Sequence, residues 1–96
     1  MYARITRFKG DPQRVEDGIF LLHEQVIPRA RQREGQVHGY WMVDRATGQA
    51  AVLSLWESEA AMRASETAAE MLRQAVTDQI GGEVTAVEHY EVVGET

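Results

Sequence analysis

Residues 35–59 read GQVHGYWMVDRATGQAAVLSLWESE, and this stretch decides the fold. Two apolar, β-rich runs flank Asp44-Arg45-Ala46-Thr47-Gly48, a turn that opens on an Asp and closes on a Gly able to take positive φ, so a β-hairpin is predicted. The strands are apolar at both parities: Val37, Trp41 and Val43 alternate with Tyr40 and Met42, and Ala51, Leu53 and Leu55 alternate with Ala50, Val52 and Trp56. A sheet with one wet face alternates cleanly between apolar and polar residues, so this sheet is expected to be covered on both faces. One cover can come from the chain's own helices. The other needs a partner.

Upstream of the hairpin, Tyr2 to Lys9 reads as a strand ended by Gly10-Asp11-Pro12. Asp11 is placed to cap a helix whose first position is Pro12, where a missing N–H costs nothing. Val15, Ile19, Leu22, Val26 and Ala30 form one apolar stripe of that helix, and Phe20, His23 and Ile27 form a second beside it. Pro28 inside the pattern predicts a kink or an early end near Gln25, followed by a last turn reaching about Glu34. Arg29, Arg31 and Arg33 then complement the helix's negative end, and Gly35 closes it.

Downstream, Ser58 caps a second helix with Glu59 in its first turn. Its buried stripe is Ala61, Met62, Ser65, Ala69, Leu72 and Val76, with Arg63, Glu66, Glu70 and Arg73 expected on the outer face. Asp78 to Gly82 is the exit, and Val84 to Val93 is the last strand. The order β-α-β-β-α-β is that of two split βαβ units. With right-handed crossovers it gives a ferredoxin-like α+β fold, a four-stranded antiparallel sheet with both helices on one face. The bare face is most simply covered by the same face of a second copy, so a homodimer with the helices outside is expected.

The chain has 96 residues, enough for one domain over residues 1–96 with one core and a thin stability margin. Fifteen acidic residues against ten basic ones give a formal charge of −5, which argues against nucleic acid or an anionic membrane as the main partner. The absence of cysteine removes disulfides, thiolate nucleophiles and the usual zinc sites. MYARITRFKG enters a strand pattern with no apolar signal core, and no later run approaches membrane-spanning length, so a cytoplasmic protein is expected.

The run Gly39-Tyr40-Trp41, Val43-Asp44, Gly48, then Leu55-Trp56-Glu57-Ser58 and Ala61-Met62 with Ala64-Ser65, resembles the antibiotic biosynthesis monooxygenase-like domains of the dimeric α+β barrel superfamily. The resemblance covers Tyr2 to Val93 and implies the dimeric barrel. It also implies a choice among several chemistries: cofactor-independent quinone-forming oxygenation, haem degradation, isomerisation or decarboxylation. The haem-degrading relatives are known for an Asn on the first strand and a Trp and a His on the second helix. This chain has no Asn, and its helix from Ser58 to Val76 has neither Trp nor His, so that mechanism does not fit. The relatives that oxidise polycyclic phenols use Asn, Trp, Arg and Tyr around the substrate. Here the last three are present.

Among candidate site residues, His23 lies between Phe20 and Ile27 on a stripe expected to face the gap between helix and sheet. There it would be a general base for a phenol or hydroquinone, whose anion reacts with O2 without flavin or metal. The bland alternative is a boundary histidine bonded to backbone or water. Trp56 is either a pocket wall that stacks on a planar substrate or a core residue under the second helix. Arg4 and Arg7 have opposite parity, so one of them points into a covered face and wants a carboxylate such as Glu88 or Glu91; alternatively it stabilises a substrate oxyanion. Phe20, Ile27, Tyr40, Met42, Trp56, Met62 and Tyr90 are the expected pocket residues. Parity sends Trp41 to the face opposite Tyr40 and Met42. The spacing of His23, His38 and His89 matches no metal site, and no phosphate loop or dinucleotide fingerprint is present, so no metal or cofactor is expected. The leading expectation is oxygenation of a small aromatic phenol or quinol. The alternatives are a non-catalytic small-molecule-binding or stress-associated dimer, and an isomerase or decarboxylase.

Overall fold

β1 (Tyr2–Lys9) is an inner strand of a four-stranded antiparallel sheet of order β2-β3-β1-β4, with β2 at Gln36–Val43, β3 at Gln49–Trp56 and β4 at Glu83–Glu91. The computed structural model describes residues 1–96. Tyr2 pairs with both Trp56 and Glu91, and Arg4 pairs with both Ser54 and His89, so β1 fixes the register of both neighbours. The helices all lie on one face. This is the ferredoxin-like arrangement that the sequence predicts: the two strands of each strand–helix–strand unit run parallel and leave a gap, and a strand of the other unit fills that gap antiparallel.

The hairpin turn forms as its residues dictate. Asp44 Oδ1 accepts from the Ala46 N–H at 2.9 Å, and Gly48 adopts φ 79°. The Gly10 N–H donates to the Gly48 carbonyl at 3.0 Å, which ties the turn to the loop after β1, and a Cβ on Gly48 would stand 2.4 Å from the Gly10 oxygen. Arg45 pairs with Glu16, adding a second tie to the first helix.

Asp11 Oδ1 accepts from the Gln13 N–H at 2.8 Å and opens a 3-10 turn at Pro12–Arg14 that leads into α1 (Val15–Leu21). The interruption expected near Gln25 is present. The chain widens into a π-helical turn at Leu22–Val26, where the Ile27 N–H donates to the Leu22 carbonyl, before α2 (Ile27–Ala30). A widened turn relieves the clash between the proline ring and the carbonyl four residues back. The helix ends at Ala30 rather than near Glu34.

Ser58 Oγ accepts from the Ala61 N–H at 3.1 Å and caps α3 (Glu59–Ala64). Ser65 interrupts the helix, and α4 (Glu66–Ile80) follows directly and ends at Gly81, φ 77°. β4 begins one residue earlier and ends two residues earlier than the sequence predicts.

The core lies between the sheet and the helices, around Leu21, Val26, Ala30, Trp56, Met62 and Ala69. The opposite sheet face is open. It carries Ile5, Leu53 and Leu55, with Tyr40, Met42 and Tyr90 about half exposed, and Arg7, whose Nε donates to Glu88 Oε1 at 3.0 Å. No helix is long and apolar enough to cross a membrane.

Candidate functional site

The helix-facing parity of the sheet, Arg4, Thr6 and Phe8 on β1, Trp41 and Val43 on β2, and Ala50, Val52 and Ser54 on β3, floors a cavity of about 220 Å³. Its roof is Val15, Gly18, Ile19, Leu22 and Val26 from the first helical segment, with Ala69, Leu72, Val76 and Ile80 from α4. The π turn keeps Leu22 and Val26 both directed inward across the proline break. A Cβ on Gly39 would lie 3.1 Å from the Trp41 ring, so the glycine leaves the indole room to lie along β2.

Arg4 is the inner polar residue of this cavity and is only 3% exposed. Its Nη1 donates to Ser65 Oγ and Glu66 Oε1, both at 2.9 Å, and lies 3.5 Å from the Met62 carbonyl. Its guanidinium also sits 5.2 Å from the centroid of the fully buried Trp56 ring, whose Nε1–H donates to Ser54 Oγ at 2.9 Å. Glu66 is shared: Oε1 also meets His89 Nε2 at 2.7 Å, and Oε2 stands 3.7 Å from Arg73 Nη2. Burial raises the Glu66 pKa, but the hydrogen bonds from His89 and Arg4 and the Arg4 charge outweigh it and hold the carboxyl below its usual range.

Arg33 and Arg73 line the same cavity beside Arg4. Burial is the main cause that lowers both of their pKa values, and the charge of Arg4 lowers each further. Glu66 and Glu70 partly offset this at Arg73, whereas the charges acting on Arg33 are those of Arg4 and Arg73. The 3.7 Å separation is too long for a hydrogen bond. Arg73 Nη2 is therefore a buried donor without an acceptor, and Gln36 Oε1, also of the cavity wall, is a buried acceptor without a donor. At the far end Lys9, Asp11, Arg14 and Glu83 offset one another in charge.

Several sequence expectations need correction. His23 is exposed and Phe20 is 68% exposed, because the stripe that turns inward is Val15-Ile19-Leu22-Val26 and the Phe20-His23-Ile27 stripe lies away from the cavity. Tyr40 and Tyr90 stand on the open sheet face. Met42 borders the cavity but has the parity of Tyr40 and is 48% exposed. Trp56 and Met62 are buried core under α3, as in the packing alternative for Trp56. The buried arginine is Arg4, and its carboxylate comes from Glu66 on α4; Arg7 is the exposed partner of Glu88. Glu66 and Arg73 face inward, not outward. Their positions, with Ala69, Val76 and Ile80, repeat at three and four residues, a stripe that was legible but was masked by its charges. Arg33 carried no such signal, since its place depends on the helix ending early at Ala30.

No three His, Cys, Asp or Glu side chains converge to hold a metal ion. The chemistry on offer is anion recognition by guanidinium groups beside apolar walls.

Comparison with known proteins establishes the fold. HapK from Hahella chejuensis superposes with a TM-score of 0.77 at 14% identity, covering 100% of this chain and 96% of HapK. The monooxygenase from the ActVA-Orf6 gene of Streptomyces coelicolor, solved with nanaomycin D, gives 0.74 at 20% identity over 99% of this chain and 89% of that one. Rv0793 from Mycobacterium tuberculosis gives 0.70 at 21% identity, covering 98% of this chain and 96% of that one. The chain thus has the fold of antibiotic biosynthesis monooxygenase-like domains. No protein-family model matches the sequence. Among curated proteins, the uncharacterized Mycobacterium tuberculosis proteins Rv2557 and Rv2558 are 29% identical over 92 residues and 37% identical over 65 residues, covering 96% and 68% of this chain. The chain spans 41% and 28% of their respective lengths.

The shared carboxylate gives a test with a defined sign. Because the Glu66 pKa is lower folded than unfolded, its stabilisation is present above the usual carboxylate range and is lost as the pH falls through the lowered value. Glu66→Gln should cost roughly 1–3 kcal/mol near neutral pH, measured by urea unfolding, and the difference from the parent should shrink as the pH falls through and below the usual carboxylate range. A difference that stays constant with pH would contradict the shared-carboxylate account.

Proposed function

We propose that the chain is a cofactor-independent monooxygenase acting on a small aromatic phenol or quinol bound between the helices and the sheet. The observation that carries this reading is Arg4: a buried guanidinium, fixed by Ser65 and Glu66, in a cavity whose walls include Trp41, Val52, Leu72 and Val76. A planar phenol would lie between Trp41 on the floor and Leu22 and Leu72 on the roof, with its oxygen toward Arg4. The positive charge there favours the ionised substrate, and the resulting electron-rich anion is the species that reacts with O2. With His23 on the outer surface and His89 bonded to Glu66 outside the cavity lining, no imidazole lines the cavity, and the guanidinium cluster takes over the task of promoting ionisation. The fold shared with the monooxygenase crystallised with nanaomycin D supports this reading.

The missing base also favours a second reading, a cavity that binds aromatic molecules without turning them over. An oxygen electrode separates the two. The first reading expects O2 uptake with a panel of anthrones and hydroquinones without added flavin or metal. In Arg4→Lys, which keeps the charge but loses the planar fork, uptake should fall at least about tenfold, provided circular dichroism shows the fold retained. Unchanged turnover in the variant would remove Arg4 from the mechanism, and tight binding with no uptake would establish the second reading.

The open sheet face supports a homodimer in which a second copy covers Leu53, Leu55, Tyr40 and Tyr90. Native mass spectrometry should give twice the chain mass for the parent and the chain mass for Leu53→Glu, which places a charge in the middle of that face. A monomeric parent at micromolar concentration would contradict the dimer.

A further inference from the structure

We infer that the basic end of the cavity is a carboxylate-binding site, so that the ligand is a small hydroxyaryl carboxylate whose ring fills the apolar part and whose carboxylate is held by Arg33 and Arg73; this rests on the aromatic-cavity reading above and narrows its substrate class.

A neutral phenol does not answer the charges present. Arg4, Arg33 and Arg73 line the same cavity close enough to feel one another's charge, and Glu66 meets Arg4 and, at longer range, Arg73. Glu66 is already committed, with Oε1 between Arg4 at 2.9 Å and His89 at 2.7 Å. Arg73 keeps only the long 3.7 Å approach to Oε2, and its Nη2 is buried with no acceptor. Arg33 feels two like charges and burial. Three guanidinium groups partly or wholly withdrawn from water repel one another, Glu66 being bonded to Arg4 and His89 and Glu70 acting on Arg73 only through its charge, and the cost falls when a further anion enters. A carboxylate fits better than a phenolate because two oxygens accept from the planar fork of an arginine in parallel, and because it is ionised at neutral pH without assistance.

The second unmatched atom adds a constraint. Gln36 Oε1, on the same cavity wall, is a buried acceptor that needs a donor. A ring bearing both an ionised carboxylate and a hydroxyl supplies an acceptor for Arg73 and a donor for Gln36. The walls between, Trp41, Val52, Leu72 and Val76, are apolar and suit an aromatic body. The far end, where Lys9 and Arg14 are offset by Asp11 and Glu83, has no comparable surplus of charge.

Isothermal titration calorimetry with 6-hydroxy-2-naphthoate, its primary amide and 2-naphthol tests this. The expected result is that the naphthoate binds at least about tenfold more tightly than the isosteric amide, the factor for a charge-assisted hydrogen bond at its weak end. Arg73→Gln and Arg33→Gln should each remove about that factor from the naphthoate while changing the amide little, and Arg29→Gln, on the exposed surface, should leave both unchanged. Equal binding of naphthoate, amide and naphthol overturns the carboxylate site while leaving the aromatic cavity in place. Absence of binding by all three overturns both. The comparison of the three probes on the parent protein stands even where a variant fails to fold.

Discussion

A guanidinium buried at 3% exposure on an inner strand is the constraint around which this molecule is arranged. Arg4 cannot be left without acceptors in that position, because an unpaired buried charge costs more than most side chains contribute to stability. The acceptors come from one place, the junction of α3 and α4, where Ser65 Oγ, Glu66 Oε1 and the Met62 carbonyl gather around Nη1. That junction is a break in the helix. Ser65 Oγ donates to the Met62 carbonyl at 2.7 Å while accepting from Arg4, so the same serine serves the turn and the ion pair. Met62 and Trp56, the two side chains with essentially no exposure, pack around this point. The second half of the chain is thereby held to the sheet by a polar contact as well as by apolar burial.

The same arrangement shapes the cavity. Because Glu66 is drawn toward Arg4 and His89, it leaves Arg73 at a distance too long for a hydrogen bond, and the early helix end at Ala30 brings Arg33 to the same space. Structure and site are therefore coupled through one carboxylate: satisfying the structural arginine leaves two others with donors to spare. The apolar walls raise the importance of those donors, since a charge contact shielded from water is stronger than the same contact at the surface.

Much of the architecture was legible because it depends on local rules. The Asp44 and Gly48 turn, the Asp11 and Ser58 caps and the two-sided apolar strands each follow from residue chemistry within a few positions, and together they determine the order of elements. What failed depended on rotation about a helix axis. The first helix offers two stripes, and the one that carries a histidine, Phe20-His23-Ile27, is not the wall of the cavity, which is built from Val15, Ile19, Leu22 and Val26. On α4, Glu66 and Arg73 were assigned outward because charged residues are seldom buried. The rule is overridden here by a strand arginine that cannot be seen from α4 alone. Arg7 and Glu88 show the complementary case: a pair read correctly across β1 and β4, but on the open face, where Glu88 is held below its usual pKa by hydrogen bonds from Arg7 and Tyr90.

The central claim, that Arg4 is locked to the α3–α4 junction, can be read directly from its side chain by NMR. Nitrogen-15 spectra of the arginine Nη groups at neutral pH should show separate, slowly exchanging NηH2 resonances for Arg4, since hydrogen bonds to Ser65 and Glu66 hinder rotation of its guanidinium. These resonances should merge in Glu66→Gln. An averaged, rapidly exchanging Arg4 signal in the parent protein, indistinguishable from that of exposed Arg29, would contradict the account.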